Sequence, residues 1–214
     1  KHLRFITPSV PFAERRIIVM KKIRTQILAS GKHIHLSEEE LKELFGPDAE
    51  LRVKKILGDG IMGQFVSDKK VRLSGPDGEH VLSVLGPLRK QTQVELSYTE
   101  ARQIGLRPPL SDSGKLEETM GCTLIGPAGT VYLQKGMMVA RRHIHMNPDE
   151  ARENDFHAND IVRVQVEGPR GLIFENCLVG IKSKPGRTVM HIDFDEMNAA
   201  GLVGDAWGWI LKEE

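Results

Sequence analysis

The sequence predicts a mainly β protein with short α-helices, built from two related halves. Three observations carry this. Strand-length apolar runs end in Gly/Pro turns. A His-x-His string occurs twice in similar surroundings. Helix-capping residues follow strand-like runs at four places. The first observation is the plainest. Residues 70–74 (KVRLS) run into Gly75-Pro76-Asp77-Gly78, and residues 79–85 (EHVLSVL) leave it. Residues 122–125 and 130–133 flank Gly126-Pro127-Ala128-Gly129, and residues 160–166 and 172–174 flank Gly168-Pro169-Arg170-Gly171. Hydrophobic runs joined by such turns are hairpin signals, and regular short strands suggest a barrel or a sandwich.

The repeat aligns Lys32-His33-Ile34-His35-Leu36-Ser37 with Arg142-His143-Ile144-His145-Met146-Asn147, each followed by acidic residues. The segments between differ too much for a solenoid. Helix starts are written after each string. Ser37-x-x-Glu40 and Ser97-x-x-Glu100 are capping boxes, Asn147 precedes Pro148, and Asp193-x-x-Glu196 repeats the pattern. Gly105 and Gly201 are the expected stops.

Composition narrows the function. Thirty Lys+Arg against 29 Asp+Glu leave a net charge of +1, which argues against a nucleic-acid or polybasic membrane binder. Two cysteines cannot build a disulfide framework or a four-cysteine zinc site. Cys122 and Cys177 lie in apolar runs and read as buried thiols. No apolar run approaches the roughly 20 residues of a membrane span. Pro8, Pro11 and Glu14-Arg15-Arg16 interrupt any secretory hydrophobic region, so a reducing cytoplasm is the expected compartment. Residues 1–21 read as an extension, with Met20 a candidate start. Hydrolase elbows and Gly-rich nucleotide loops are absent.

Eight histidines are present, and five fall in His33-Ile34-His35, His143-Ile144-His145 and Met190-His191-Ile192-Asp193. Strand side chains alternate, so His33 and His35 project together, as do His143 and His145, while the isoleucine between them enters a core. A ligand-type residue sits two positions before every cap: His35, Glu95, His145 and His191. A single His-x-His is more often a surface or hydrogen-bonded pair. Two copies, joined by Glu95 and His191 in the same local frame, point to metal. Five histidines exceed the needs of one catalytic zinc, so two sites fit better. Imidazoles suit zinc but also iron, copper or nickel. Free N–H groups at the helix starts would favour an anion nearby. Arg89, Arg141 and Arg142 are candidate anion forks whose ordinary reading is a solvated surface group. His2, His80 and His157 receive no role.

Taken together, these strings resemble the PduL-type phosphate propanoyltransferases (phosphotransacylases). The matching text is K32-HIHLS, Gly63-Gln64-Phe65, residues 85–95 (LGPLRKQTQVE), Ser113-Gly114, residues 142–146 (RHIHM), and residues 190–200 with their MHID and NAA strings. The resemblance spans about Ile27 to Leu202. It implies two tandem β-barrels capped by short helices, with the active site at their interface. Residues 22–31 and 141–211 would form one discontinuous barrel. Residues 32–140 would form the other, with an insertion near 46–67. The family transfers a short acyl group, propanoyl or acetyl, between coenzyme A and inorganic phosphate with two zinc ions. By motif, His33, His35 and Glu95 would hold one zinc facing the coenzyme A sulfur. His143, His145 and His191 would hold the second. Arg89 matches the phosphate-binding arginine and is the expected catalytic group, with Gln64, Ser113 and Asn198 as further substrate contacts. Partners would be acyl-coenzyme A and phosphate, with no nucleic acid and no membrane. A homodimer and association with a bacterial microcompartment complete the expectation, although residues 1–26 show no clear amphipathic targeting helix. Lys32 stands where the family has Arg, and Ile61-Met62 where it has Gln-Pro, which leaves acyl preference open. The competing readings are a metal-dependent thioester or phosphoester hydrolase, and a non-enzymatic barrel with structural metals.

Overall fold

The computed structural model describes residues 20–57 and 63–213. The strands in chain order are β1 (Met20–Ala29), β2 (His33–His35), β3 (Val53–Ile56), β4 (Phe65–Gly75), β5 (Gly78–Gly86), β6 (Gln93–Glu95) and β7 (Leu110–Ser111). They continue with β8 (Met120–Ile125), β9 (Thr130–Ala140), β10 (His143–Met146), β11 (Ile161–Val166), β12 (Leu172–Ile181), β13 (Val189–Ile192) and β14 (Ala206–Glu213). Four short helices interrupt them: α1 (Glu38–Phe45), α2 (Tyr98–Gln103), α3 (Pro148–Glu153) and α4 (Phe194–Ala200). The hairpins expected at 75–78, 126–129 and 168–171 all form, and each helix begins directly after its expected cap. The expected extension at 1–21 lies almost wholly outside the described residues, as do Ile61 and Met62.

The strands close into two barrels, as the resemblance implies. One runs β1-β13-β10-β12-β11-β14 and returns to β1. The other closes as β4-β5-β2-β6-β9-β8, because β8 pairs with both β9 and β4; β3 and β7 are added at its edges. β1 crosses first into the barrel that the C-terminal strands complete, and the central segment makes the other. Closing a sheet on itself removes the unpaired edge that a flat arrangement would expose.

Each barrel has its own core. Ile34, Leu73, Val84 and Val94 are fully or almost fully buried in one, and Ile27, Ile144, Met190 and Ile192 in the other. The isoleucines of the two His-x-His strings therefore point inward, one per barrel, and turn the flanking histidines outward. Burying each such side chain stabilises the fold by about 1.5–3 kcal/mol.

The registers show how closely the halves repeat. His33 lies opposite Glu95 on antiparallel β6, and His143 lies opposite His191 on antiparallel β13. A parallel strand flanks each string on the other side: β5 beside β2, and β12 beside β10.

The caps differ in one informative way. α2 and α4 carry complete capping boxes, with Glu100 and Glu196 accepting from the cap amides. In α1 and α3 the glutamate does not accept from the cap amide, although Glu40 accepts from the Ser37 hydroxyl. The Ser37 amide donates to Thr92 Oγ1 at 2.9 Å, and that hydroxyl donates to Glu40. Asn147, Thr188 and Glu150 repeat this relay in the other barrel. A threonine at the head of the neighbouring strand has inserted into the box, so the expectation for Ser37 and Asn147 is met through a bridge. The helix-start amides of Glu40, Glu100, Asp149 and Glu196 bond their own caps, and that of Thr99 bonds Asp195 of the other barrel. These amides are thus committed within the protein.

Candidate active site

Between the barrels lies a pocket of ≈ 310 Å³. Strand β1 and the loop after it form one wall, and the two His-x-His strings face each other across it. The strand-to-helix junctions explain this placement. Each string ends a short strand, and the capped helix that follows turns the chain away at once, leaving the last outward side chains at the barrel rim.

His33, His35 and Glu95 bring their ligand atoms within 4.8 Å of one another, all buried. His33 Nε2 is 3.4 Å from Glu95 Oε2. Burial alone would raise the Glu95 carboxyl. The charge and hydrogen bond of His33, with His35 and His143, hold it instead well below the usual carboxylate range. Burial, aided by the Arg89 cation, lowers His35 from 6.5 to about 3. Arg89 Nη2 lies 2.9 Å from His35 Nε2, and the buried Nδ1 of His35 has no hydrogen-bond partner among the described residues.

His143, His145 and His191 form the second group, with ring centroids 4.9–5.3 Å apart. The His143 and His191 rings are stacked, and His145 meets both edge-on. His143 Nδ1 lies 2.8 Å from the Arg141 carbonyl, which assigns the proton to that nitrogen and leaves the Nε2 lone pair available. Burial lowers His145 to about 4 and also holds His191 well below 6.5. His145 and His191 are thereby held neutral at pH 7, the state a metal ligand needs.

The donor chemistry fits metal. The first group combines an orphaned buried nitrogen, a second imidazole and a held carboxylate. The second combines three imidazoles in one tight cluster. Either set of three would leave a tetrahedral ion one open position.

Several other expected residues reach the pocket. Gln64, Arg89 and Ser113 line it. Asn198 does not; it is exposed on α4. Arg141 is in ionic contact with Asp112 at 2.8 Å, and Arg142 pairs with Glu196 at 2.8 Å, so both arginines are committed to carboxylates. Cys122 and Cys177 are buried, and burial pushes both thiols up to about 12, so neither is a nucleophile near neutral pH. His80 lies 2.8 Å from the Glu100 carbonyl, and His157 is exposed.

Two groups beside the ligand residues were given no role by the sequence reading. Buried Gln93 donates to both Glu95 and Ser113 and accepts from the Gly114 amide. It couples a ligand carboxylate to the Ser113 loop. Its position opposite His35 on the polar face of β6 was the available signal. Lys182, buried beside the second group, carried no motif.

Fold and pocket define a double-barrel protein in which a His33–His35–Glu95 group able to hold a metal and a cluster of three imidazoles face one cavity. Comparison with known proteins specifies it further. The family model described as phosphate propanoyltransferase matches residues 26–203. A phosphate propanoyltransferase of Enterococcus faecalis is 44% identical over 202 residues, covering 91% of this chain and 94% of the relative. Proteins of the same name from Thermotoga maritima and Listeria monocytogenes are 46% and 37% identical, covering 81% and 97% of this chain and 82% and 96% of the relatives. The chain belongs to the phosphate propanoyltransferase family, and it is an acyltransferase.

Proposed function

We propose that this protein transfers a short acyl group reversibly between coenzyme A and inorganic phosphate, with one zinc ion in each ligand group. The observation that carries the reading is the juxtaposition of the His33–His35–Glu95 group, the three-imidazole cluster and Arg89 around one pocket, in a chain of this family. The functional units are then residues 22–31 with 141–211, and residues 32–140, each supplying one group.

His33, His35 and Glu95 would hold the first ion, and His143, His145 and His191 the second. Bound zinc supplies Lewis-acid polarisation of a thioester carbonyl and stabilisation of a leaving thiolate. The rest falls to the chain. Arg89 stands at the pocket wall with its guanidinium against His35, where it would fork onto phosphate oxygens. Ser113 and Gln64 line the same wall as polar contacts. A phosphate oxygen attacks the thioester carbon, the carbon–oxygen bond forms, and the carbon–sulfur bond breaks with its electron pair leaving on sulfur. Phosphate is already largely dianionic near neutral pH, so the step needs no strong protein base. With both thiols buried and raised, neither cysteine serves as the nucleophile of an acyl-enzyme, which supports direct attack.

The test follows thiol release from propanoyl-coenzyme A with and without phosphate. Release should depend on phosphate, with acyl phosphate formed one for one. Phosphate-independent release would establish the hydrolase reading instead. A homodimer and a microcompartment setting belong to the same proposal, tested by light scattering and by co-purification with shell proteins.

A further inference from the structure

The two barrels repeat one more feature. Arg89 N donates to the carbonyl of Leu36, directly after the first His-x-His, at 2.9 Å. Lys182 N donates to the carbonyl of Met146, directly after the second, at 2.9 Å. Lys182 is therefore the structural counterpart of Arg89. The linear sequence hides this. Arg89 lies four residues beyond Leu85, the strand partner of His35, whereas Lys182 lies two beyond Gly180, the partner of His145.

We infer that Lys182 is a second phosphate-binding residue of this pocket, so that phosphate is gripped by a cation from each barrel. The inference rests on the transferase reading above.

Three observations support it. Lys182 is 6% exposed yet lines the same pocket as Arg89, and the Arg187 carbonyl accepts from its Nζ at 2.8 Å. That bond orients the side chain. Second, the group beside it contains three imidazoles and no carboxylate, whereas the first group contains Glu95. A divalent ion held by neutral ligands keeps its full charge, and an ammonium nearby adds to it. An anion held between such charges is stabilised by both. Third, Lys182 and Arg89 both act electrostatically on His145, so an anion beside that ring lies within the field of both. Dianionic phosphate, with acceptors on every side, suits such a two-sided grip.

The alternative is that Lys182 only ties down the 183–187 turn through Arg187. Metal-loaded wild type, Lys182→Met, Lys182→Gln and Lys182→Arg separate the two. Glutamine retains a donor but no charge. Initial rates are measured against phosphate and separately against propanoyl-coenzyme A. Metal content is measured by mass spectrometry, and inorganic phosphate binding by calorimetry. The charge-removing variants should raise the phosphate KM and Kd about 10–100-fold, as loss of a charged hydrogen bond implies. Metal content and the propanoyl-coenzyme A KM should stay at the wild-type level. Lys182→Arg should return phosphate binding to within about threefold of wild type, since it restores the charge. Unchanged phosphate affinity, an equal rise in both KM values, or loss of metal would overturn the inference; if Lys182→Met does not fold, Lys182→Gln decides. Wild type that releases thiol without phosphate would overturn the transferase reading itself, whereas phosphate-dependent wild type with unaffected variants removes Lys182 alone.

Discussion

The two ligand groups occupy equivalent positions in equivalent barrels, yet differ in charge and support. In the first, Glu95 faces His33, and Gln93 holds that carboxylate from below. In the second, His191 replaces Glu95 and Val189 replaces Gln93. The first group is buried, and its carboxylate draws on histidines of both barrels. The second is more open and contains no carboxylate. One strand-to-helix junction thus serves two purposes. With a carboxylate it lowers the charge of a bound ion. Without one it would preserve that charge, which suits the anion site proposed above. Arg89 and Lys182 stand at matching points beside them.

The largest expected effect comes from breaking either group. His33→Ala and His143→Ala should each remove one equivalent of metal and leave the other in place. Activity should fall about 1000-fold, as loss of several kcal/mol of Lewis-acid stabilisation implies. Metal analysis beside a rate assay checks both; loss of both ions from either variant would mean that the two groups are one site.

A smaller effect sharpens the comparison from the supporting residues. Gln93→Leu should weaken metal affinity at the first group about 10–100-fold and leave the second unchanged, because the second already has an apolar residue there. Competition against a chromophoric chelator measures this. Equal weakening at both groups would show that Gln93 serves the fold in general.

The smallest effect is in stability against pH, read on metal-stripped protein. His35, His145 and His191 are held below their ordinary 6.5 chiefly by burial. Their neutral forms are favoured in the fold, so their contribution is complete above about pH 6.5 and is lost as pH falls towards 4 and then 3. Glu95, also depressed, adds a loss that begins only below its ordinary 4.5. Tm should therefore fall from about pH 6.5 downward, and Glu95→Gln should flatten only the lowest part of that decline. A Tm constant between pH 6.5 and 4 would contradict the burial of the imidazoles.

Much of this was legible in the chain, because alternation and capping act over a few residues. Ile34 and Ile144 between their histidines announced strands with one buried face, and the Ser, Asn and Asp caps announced the turns that follow. Pairing was less legible. That Glu95 faces His33, and His191 faces His143, depends on registers set by the whole barrel. The threonine relays at Thr92 and Thr188 were hidden for the same reason, since each inserts from a neighbouring strand. Lys182 was hidden because the turn before Arg89 is longer than the one before Lys182, so equal places in space fall at unequal places in sequence. Asn198 lies in a matching string on an exposed face of α4, outside the pocket lining.

The central claim is that each barrel holds one metal ion. Inductively coupled plasma mass spectrometry on the purified full chain tests it most directly. Two equivalents of zinc per chain are expected, falling to one in His33→Ala and one in His143→Ala. One equivalent or none in the wild type, under conditions where the enzyme is active, would contradict it.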